Sequence, residues 1–314
     1  MKIITHDGIF HADEVFAIAV LSICYDNDIE IVRTRDEKII RSAKYNENIF
    51  ILDVGGEYDI RRSNYDHHQK DFEMRNIDTK ILYSTAGLIW KNYGSVAIIK
   101  IVPEIVSEVN HSDFDLYMIE KKVYKDIVSV IDAGDNGEFE NKEKILINNK
   151  NAIDISKIVS IFNPNWDDEM DENAAFNEAV NMCVNIIKRY VKKEYSIIKA
   201  KKYINRNLIK IEEIDSILIL DRFIPWKQVF DKENLYYVNV VIYPNTYGTQ
   251  YIAESVKDFD GKDKFSFPYR LRGQPKERLI ELTGYKSIEF VHRTGFLAVF
   301  NDKDELIEFV RNLV

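Results

Sequence analysis

The stretch that decides the fold is Lys2-Ile3-Ile4-Thr5-His6-Asp7-Gly8-Ile9-Phe10-His11-Ala12-Asp13-Glu14, followed by a nearly unbroken apolar run to Cys24. Residues 2–5 have the length and apolarity of a short strand. Asp13 to Cys24 reads as a buried helix, because Val15, Phe16, Ile18, Ala19, Leu21 and Ile23 cover most of its circumference. Ile29-Glu30-Ile31-Val32-Arg33 predicts a second strand and Ile49 to Asp53 a third. Short apolar strands alternating with helices imply βαβ units and a mainly parallel sheet. In such sheets ligands gather beyond the C-terminal strand ends, where both the His6–Glu14 cluster and Asp53 fall.

Four of the six histidines lie in two clusters, Thr5-His6-Asp7-Gly8-Ile9-Phe10-His11-Ala12-Asp13-Glu14 and Tyr65-Asp66-His67-His68-Gln69. Burying so many ionisable groups together is costly unless a metal or pairing compensates. Mixed imidazole and carboxylate donors suit manganese, iron or zinc. The set divides into two sites. His6 and His11 with Asp53 form the first; Asp13, Asp53 and His67 begin a second, completed by Asp132 or Asp135 of Asp132-Ala133-Gly134-Asp135-Asn136-Gly137. Asp53 bridges them, the arrangement of a two-metal hydrolase. His68 points elsewhere than its neighbour and is assigned to the phosphoryl group or the leaving oxygen. Asp66 is read as a supporting carboxylate that orients His67 or caps a turn. His111, in the polar turn Asn110-His111-Ser112-Asp113, reads as solvated.

Beyond these motifs, Thr85 to Tyr93 and Leu116 to Ile131 predict helices, and the polar segment 138–152 a surface loop. A long helix from Asp171 to about Tyr203 carries an apolar stripe, Phe176, Ala179, Val180, Cys183, Ile186, Ile187, Tyr190 and Val191. Strands follow at Ile217–Leu220, Tyr236–Tyr243, Tyr251–Val256, Ile288–Val291 and Phe296–Phe300, with helices at Lys276–Thr283 and Asp304–Leu313. The expected architecture is α/β: a metal-binding parallel-sheet domain over 1–155, a connector with the long helix over 156–205, and a smaller α+β domain over 206–314.

The 314 residues, 46% hydrophobic and 30% charged, describe an ordinary globular protein, and no run of about 18 apolar residues suggests a membrane span. The first motif lies within five residues of Met1, leaving no room for a leader of about 15–30 residues. Cys24 and Cys183 sit in apolar helical patterns as free thiols, so a cytoplasmic location is expected. The net charge of −9 argues against a basic nucleic-acid footprint, although part of that acidity falls at the metal site, where cations offset it.

Asp66-His67-His68, with Asp13 and Asp53 upstream and Asp132/Asp135 downstream, resembles the DHH phosphoesterase superfamily. The chain is more closely similar to the MYG1 family (UPF0160). The resemblance runs in order through Val32-Arg33-Thr34-Arg35-Asp36, Asp53-Val54-Gly55-Gly56-Glu57-Tyr58-Asp59, Ser84-Thr85-Ala86-Gly87-Leu88-Ile89, Phe162-Asn163-Pro164-Asn165-Trp166, Pro225-Trp226-Lys227 and Val291-His292-Arg293-Thr294-Gly295-Phe296. His11 stands where the superfamily more often has aspartate, which makes the first site richer in nitrogen. The stretch Phe267-Pro268-Tyr269-Arg270-Leu271-Arg272-Gly273 matches more loosely. The resemblance implies a DHH-type domain holding two divalent ions of manganese type, a second domain that holds substrate, and 3′–5′ exonuclease action on RNA or a short oligonucleotide. Eukaryotic members of the family are associated with nucleus and mitochondria.

On the same resemblance His292, Arg293 and Gly295 are assigned to a phosphate or a 3′-terminal nucleotide. Arg33 and Arg35, alternating on a strand edge, are assigned to phosphate, with a solvated edge as the alternative. Trp166 and Trp226 could stack on bases, but packing is the preferred reading of both. The rival functions are a phosphohydrolase of pyrophosphate, a dinucleotide or a nucleotide monoester, and a metal-stabilised binding protein without catalysis.

Overall fold

The computed structural model describes residues 1–106, 112–206, 212–230 and 235–313. His111 lies outside them. The chain forms two compact units, Met1–Tyr195 and Ser196–Val314.

The first unit is built on a five-stranded sheet. Strands β1 (Lys2–Thr5), β2 (Glu30–Arg33), β3 (Ile49–Leu52), β4 (Tyr58–Asp59) and β5 (Asn64–Tyr65) lie in the order β2-β1-β3-β5-β4. All neighbours are parallel except the β4–β5 pair. Ile3 sits between Ile31 and Phe50, so strands β2, β1 and β3 end level and present Arg33, Thr5 and Leu52 on one edge. Helix α1 (Ala12–Cys24) is buried along its whole length, as a helix without a polar face must be. It packs against α3 (Thr85–Ile101), while α2 (Glu37–Ala43) covers Ile4 and Ile51 on the sheet.

Three sequence expectations need correction. The helix at Thr85 continues to Ile101, well past Tyr93. The helix expected over 116–131 is α4 (Ser112–Val123), a π turn (Tyr124–Val128) and α5 (Ser129–Asp135). The expected loop 138–152 is mostly α6 (Phe139–Asn148), which buries none of its residues and so shows no apolar face to read. Short α7 (Ser156–Ile161) precedes the long helix α8 (Glu172–Arg206), on which Phe176, Ala179, Cys183, Ile187 and Val191 are buried. The boundary between the units falls inside α8.

The second unit is α+β, as expected. Strands β6 (Glu212–Ile214), β7 (Ile217–Ile219), β8 (Val240–Pro244), β9 (Tyr251–Ser255), β10 (Ile288–Val291) and β11 (Leu297–Phe300) lie in the order β10-β11-β9-β8-β7-β6, with only β7 and β8 parallel. Strand β8 starts at Val240, four residues later than expected. Alternation divides the core between the two faces. Ile217, Ile219, Val240 and Ile242 meet Phe300, Leu306 and Phe309, whereas Leu218, Leu220, Val241 and Tyr243 meet Trp226 and the Ala200 and Ile204 side chains of α8. Helices α9 (Trp226–Val229), α10 (Lys276–Thr283) and α11 (Lys303–Arg311) complete it.

Candidate metal centre

Three strand ends of the parallel sheet each deliver one polar group to a common point. His6 follows β1, Asp53 follows β3 and His67 follows β5. Asp13 and Glu14 occupy the first turn of α1, both fully buried. Glu14 Oε1 accepts the His11 amide at 2.8 Å, which fixes the carboxylate while it faces inward. Asp53 adopts φ +56°, a left-handed backbone that aspartate tolerates better than most residues. This kink turns its carboxylate into the cage.

Asp53 Oδ2 lies 3.4 Å from His6 Nε2, and its Oδ1 lies 3.5 Å from His67 Nε2 and 3.3 Å from His68 Nδ1. His6 Nε2 is 3.1 Å from Glu14 Oε1; His67 Nε2 is 2.9 Å from Asp135 Oδ2 and 3.9 Å from Asp13 Oδ2. Four overlapping groups offer ligand atoms within 4.8 Å of one another: His6, His11 and Glu14; Asp53, His67 and His68; Asp13, His67 and Asp135; and Asp13, Glu14 and Asp53. Asp53 thus contacts His6 through one carboxylate oxygen and His67 and His68 through the other.

The imidazoles are set from behind. His6 Nδ1 lies 3.0 Å from the Asp7 carbonyl, and His67 Nδ1 lies 3.1 Å from Asn136 Oδ1. Each Nδ1–H is donated outward, which leaves Nε2 facing the carboxylates, as metal-ligating histidines require. Asn136 is itself held by donating to Leu82 O and Asp132 O, both at 2.9 Å.

Burial alone would lower the His6 imidazole, but hydrogen bonds to Asp53 and Glu14 outweigh it and push it up to about 10. His67 is pushed up to about 10 against burial by Asp135 and Asp53. Burial, joined by the charges of Asp135 and Asp53, drives Asp13 well above the usual carboxylate range. Burial also acts to raise Asp53, yet the His6 and His67 hydrogen bonds hold it below that range. Without a cation, the cage thus keeps its charge balanced by protons on imidazole. Asp13 Oδ1 and Glu14 Oε2 remain buried with no hydrogen-bond partner, a cost that a divalent cation would remove. Buried unpaired acidic oxygens and imidazole Nε2 atoms pointing at one space fit such ions.

Asp132 and Asp135 have different surroundings. Asp135 faces His67. The Asp132 carboxylate instead accepts the Ser84 amide (3.0 Å), the Ser84 hydroxyl (2.8 Å), the Gly87 amide (3.0 Å) and the Tyr124 hydroxyl (2.9 Å). It fastens the start of α3, whose Thr85 amide donates to Asp13 Oδ2 at 3.0 Å. Burial pushes the Asp132 carboxyl up to about 7 despite these donors.

Asp66 orients a histidine, but it is His68 and not His67. Its Oδ1 lies 2.8 Å from His68 Nδ1 and accepts the His68 amide at 3.0 Å, while Oδ2 accepts the Gly56 amide at 2.6 Å. Burial would raise Asp66, but the His68 hydrogen bonds and the Gly56 amide lower it. The His68 ring is 61% exposed at the rim of a cavity of about 300 Å³ lined by Arg35, Asp53, Asp66 and Gly55.

Arg33, at the end of β2, and Arg35, just beyond it, part company. Arg35 lines that cavity, its Nε donating to the Asp7 carbonyl at 3.4 Å and lying 3.4 Å from Asp7 Oδ1, and its side chain is mostly exposed. The Arg33 side chain is buried: it pairs with Glu172 at 3.0 Å and lies over the Phe10 and Phe176 rings. His292, Arg293 and Gly295 belong to the second unit, on the turn from β10 to β11. There Gly295 has φ +81°, and a Cβ on it would meet Arg272 Nε at 2.5 Å and Ser266 Oγ at 2.7 Å. Of the two tryptophans, Trp226 is packed as expected. Trp166 is 96% exposed, against the packing expectation, because the Asn165–Asp168 turn projects it outward.

Glu14 and Asn136 were missed by sequence reasoning. Glu14 carried a usable signal, since a polar residue on a helix apolar all round must be buried with its partners. Asn136 carried none, because its role depends on where α5 stops.

Imidazoles and carboxylates converging at the ends of parallel strands, around unpaired acidic oxygens, define a metal-dependent hydrolase. The chain belongs to the family described as Uncharacterised protein family (UPF0160), whose model matches residues 2–314. A MYG1 protein of Saccharomyces cerevisiae is 30% identical over 99% of this chain and 94% of its own length. The MYG1 exonuclease of Homo sapiens is 28% identical over 99% of this chain and 85% of its own. A solved structure of exonuclease RecJ bound to manganese aligns over 99% of this chain and 89% of that one, at 11% identity and a TM-score of 0.26. Among the described residues no helix is long and apolar enough to cross a membrane.

Proposed function

We propose that this chain hydrolyses phosphodiester bonds in RNA, removing nucleotides from the 3′ end with two ions of manganese type. The observation that carries this reading is the overlap of the ligand groups on Asp53 and Asp13. His6, His11, Glu14 and Asp53 would hold one ion; Asp13, Asp53, His67 and Asp135 would hold the other. Such a pair, when bound, supplies Lewis-acid activation of water and of the phosphoryl group. His68, oriented by Asp66 and open to the cavity, is placed to hydrogen-bond the phosphoryl group or donate a proton to the leaving oxygen. Arg35 pairs with a phosphate in the same cavity. In the second unit, His292 and Arg293 take a phosphate or the 3′-terminal nucleotide, with Gly295 allowing close approach of backbone. The exonuclease names of the relatives support a nucleic-acid substrate. The test is Asp53→Ala assayed with manganese on 3′- and 5′-labelled RNA. The unaltered protein should release label from the 3′ end at once, and the variant should fall to background; undiminished cleavage by the variant overturns the mechanism.

The net charge of −9 favours a second reading, a phosphohydrolase of small phosphoesters such as pyrophosphate or a dinucleotide. Faster turnover of pyrophosphate than of a ribo-oligonucleotide would establish it.

A further inference from the structure

The second unit contains a cavity of about 320 Å³ that the chemistry above does not use. Trp226, Phe230, Phe296 and Leu235 give it apolar walls, and Glu254 forms part of its lining. Glu254 is only 5% exposed, although it is a carboxylate on a central strand. Its Oε1 pairs with Lys227, whose side chain is more than half exposed, and its Oε2 accepts the Tyr243 hydroxyl at 2.8 Å. Each carboxylate oxygen carries two acceptor sites, so one bond apiece leaves capacity on both. A buried anion beside flat apolar walls is expensive to keep for packing alone. It suits a planar ring with N–H donors on one edge. Phe296 also follows Gly295 directly, and its ring lies 4.5 Å from the His292 ring, so the cavity adjoins the turn assigned to the terminal nucleotide.

We infer that this cavity is a nucleobase pocket, in which an unpaired base lies against Phe296, Phe230 and Trp226 and donates its N–H edge to Glu254. The inference rests on the reading that the substrate is nucleic acid. Guanine fits best, because its N1–H and N2–H₂ donors are adjacent and match a carboxylate. Uracil, with a single N3–H flanked by two carbonyl oxygens, fits worst. Lys227 at the rim can meet the phosphate on the sugar of the same nucleotide.

The experiment is isothermal titration of the full chain, with chelator present, against guanosine, adenosine, cytidine and uridine monophosphates. Chelation removes any binding through metals. Guanosine monophosphate should bind at least about fivefold more tightly than uridine monophosphate. Phe296→Ala and, independently, Phe230→Ala should each weaken guanosine monophosphate about tenfold, with an unchanged far-UV circular dichroism spectrum showing that each variant is folded. Glu254→Gln should erase the guanine preference while the pyrimidines bind as before. Absence of millimolar binding by any mononucleotide, or binding indifferent to both phenylalanine substitutions, overturns the pocket. Equal affinity for all four bases overturns the role of Glu254. RNA cleavage without mononucleotide binding sinks this inference alone, whereas mononucleotide binding without RNA cleavage sinks the proposed reaction and leaves the pocket standing.

Discussion

At the scale of single residues, the sharpest distinction lies between two aspartates one helical turn apart. Asp135 faces His67, so Asp135→Ala should lower the bound manganese by one ion per chain, counted by elemental mass spectrometry, with little loss of stability. Asp132 holds buried donors of Ser84, Gly87 and Tyr124. Asp132→Ala leaves those donors unpaired and should cost about 2–4 kcal/mol in urea unfolding. An ion lost from the Asp132 variant at full stability would reverse the assignment. Gly87→Ala offers a second check: the new Cβ would lie 2.3 Å from Asp132 Oδ2, and overpacking of this kind costs about 1–3 kcal/mol. The sequence made the histidines and Asp13, Asp53 and the Asp132–Asp135 pair legible, because charge stands out against apolar strands. It could not separate Asp132 from Asp135. Three residues apart on a helix, they share a face, and only the position of α3 decides which one meets the cage.

At the scale of elements, the π turn at Tyr124–Val128 is held by Asp126, which is wholly buried. Asp126 pairs with Lys122 and the Tyr190 hydroxyl of α8, and accepts Asn149 Nδ2 at 2.8 Å. Burial would raise this carboxyl, but Lys122, Tyr190 and Asn149 hold it below its ordinary value. A depressed folded value means that the stability is fully present above the unfolded carboxylate range, about 4, and is lost as pH falls through the folded value. Asp126→Ala should therefore cost about 3–5 kcal/mol near pH 7 and progressively less toward pH 2–3, read from urea unfolding at several pH values. A deficit that does not change with pH would refute the ionic clip. This turn was not legible in the sequence, where residues 116–131 read as one helix, since an extra residue in a turn leaves almost no mark on apolar spacing. The parallel strands and α1 were legible because their burial is nearly total. Helix α6 was not, because it buries nothing.

At the scale of the whole molecule, the acidity of the chain is partly stored where cations bind, and folding and metal binding are linked. Manganese at about a hundred times its dissociation constant should stabilise the fold by about 2.7 kcal/mol, seen as a higher melting temperature that chelator reverses. The sign of the pH effect follows from His6 and His67, both protonated up to about 10 in the cation-free cage. Those protons must leave when ligands bind metal, so apparent affinity should rise from pH 6 to pH 8. Titration calorimetry in buffers of different ionisation heat should reveal proton release, and its absence would contradict the cage as described. The parallel α/β first part and the strand-rich second part were readable from the change in strand and helix rhythm along the chain. The pairing of β7 with β8 was not, because residues 220–239 separate these parallel neighbours and the apolar stretch Tyr236–Val238 reads as part of the strand.

The left-handed kink at Asp53 bears on how the site should be disabled. Alanine at that position removes the carboxylate and also suffers the backbone, a penalty of about 1–2 kcal/mol that asparagine largely escapes. Asp53→Asn and Asp53→Ala should be equally inactive yet differ in unfolding free energy by that amount. The pair would weigh the strain built into the bridge apart from its charge, and show how much of the cage is shaped by the peptide before any cation arrives.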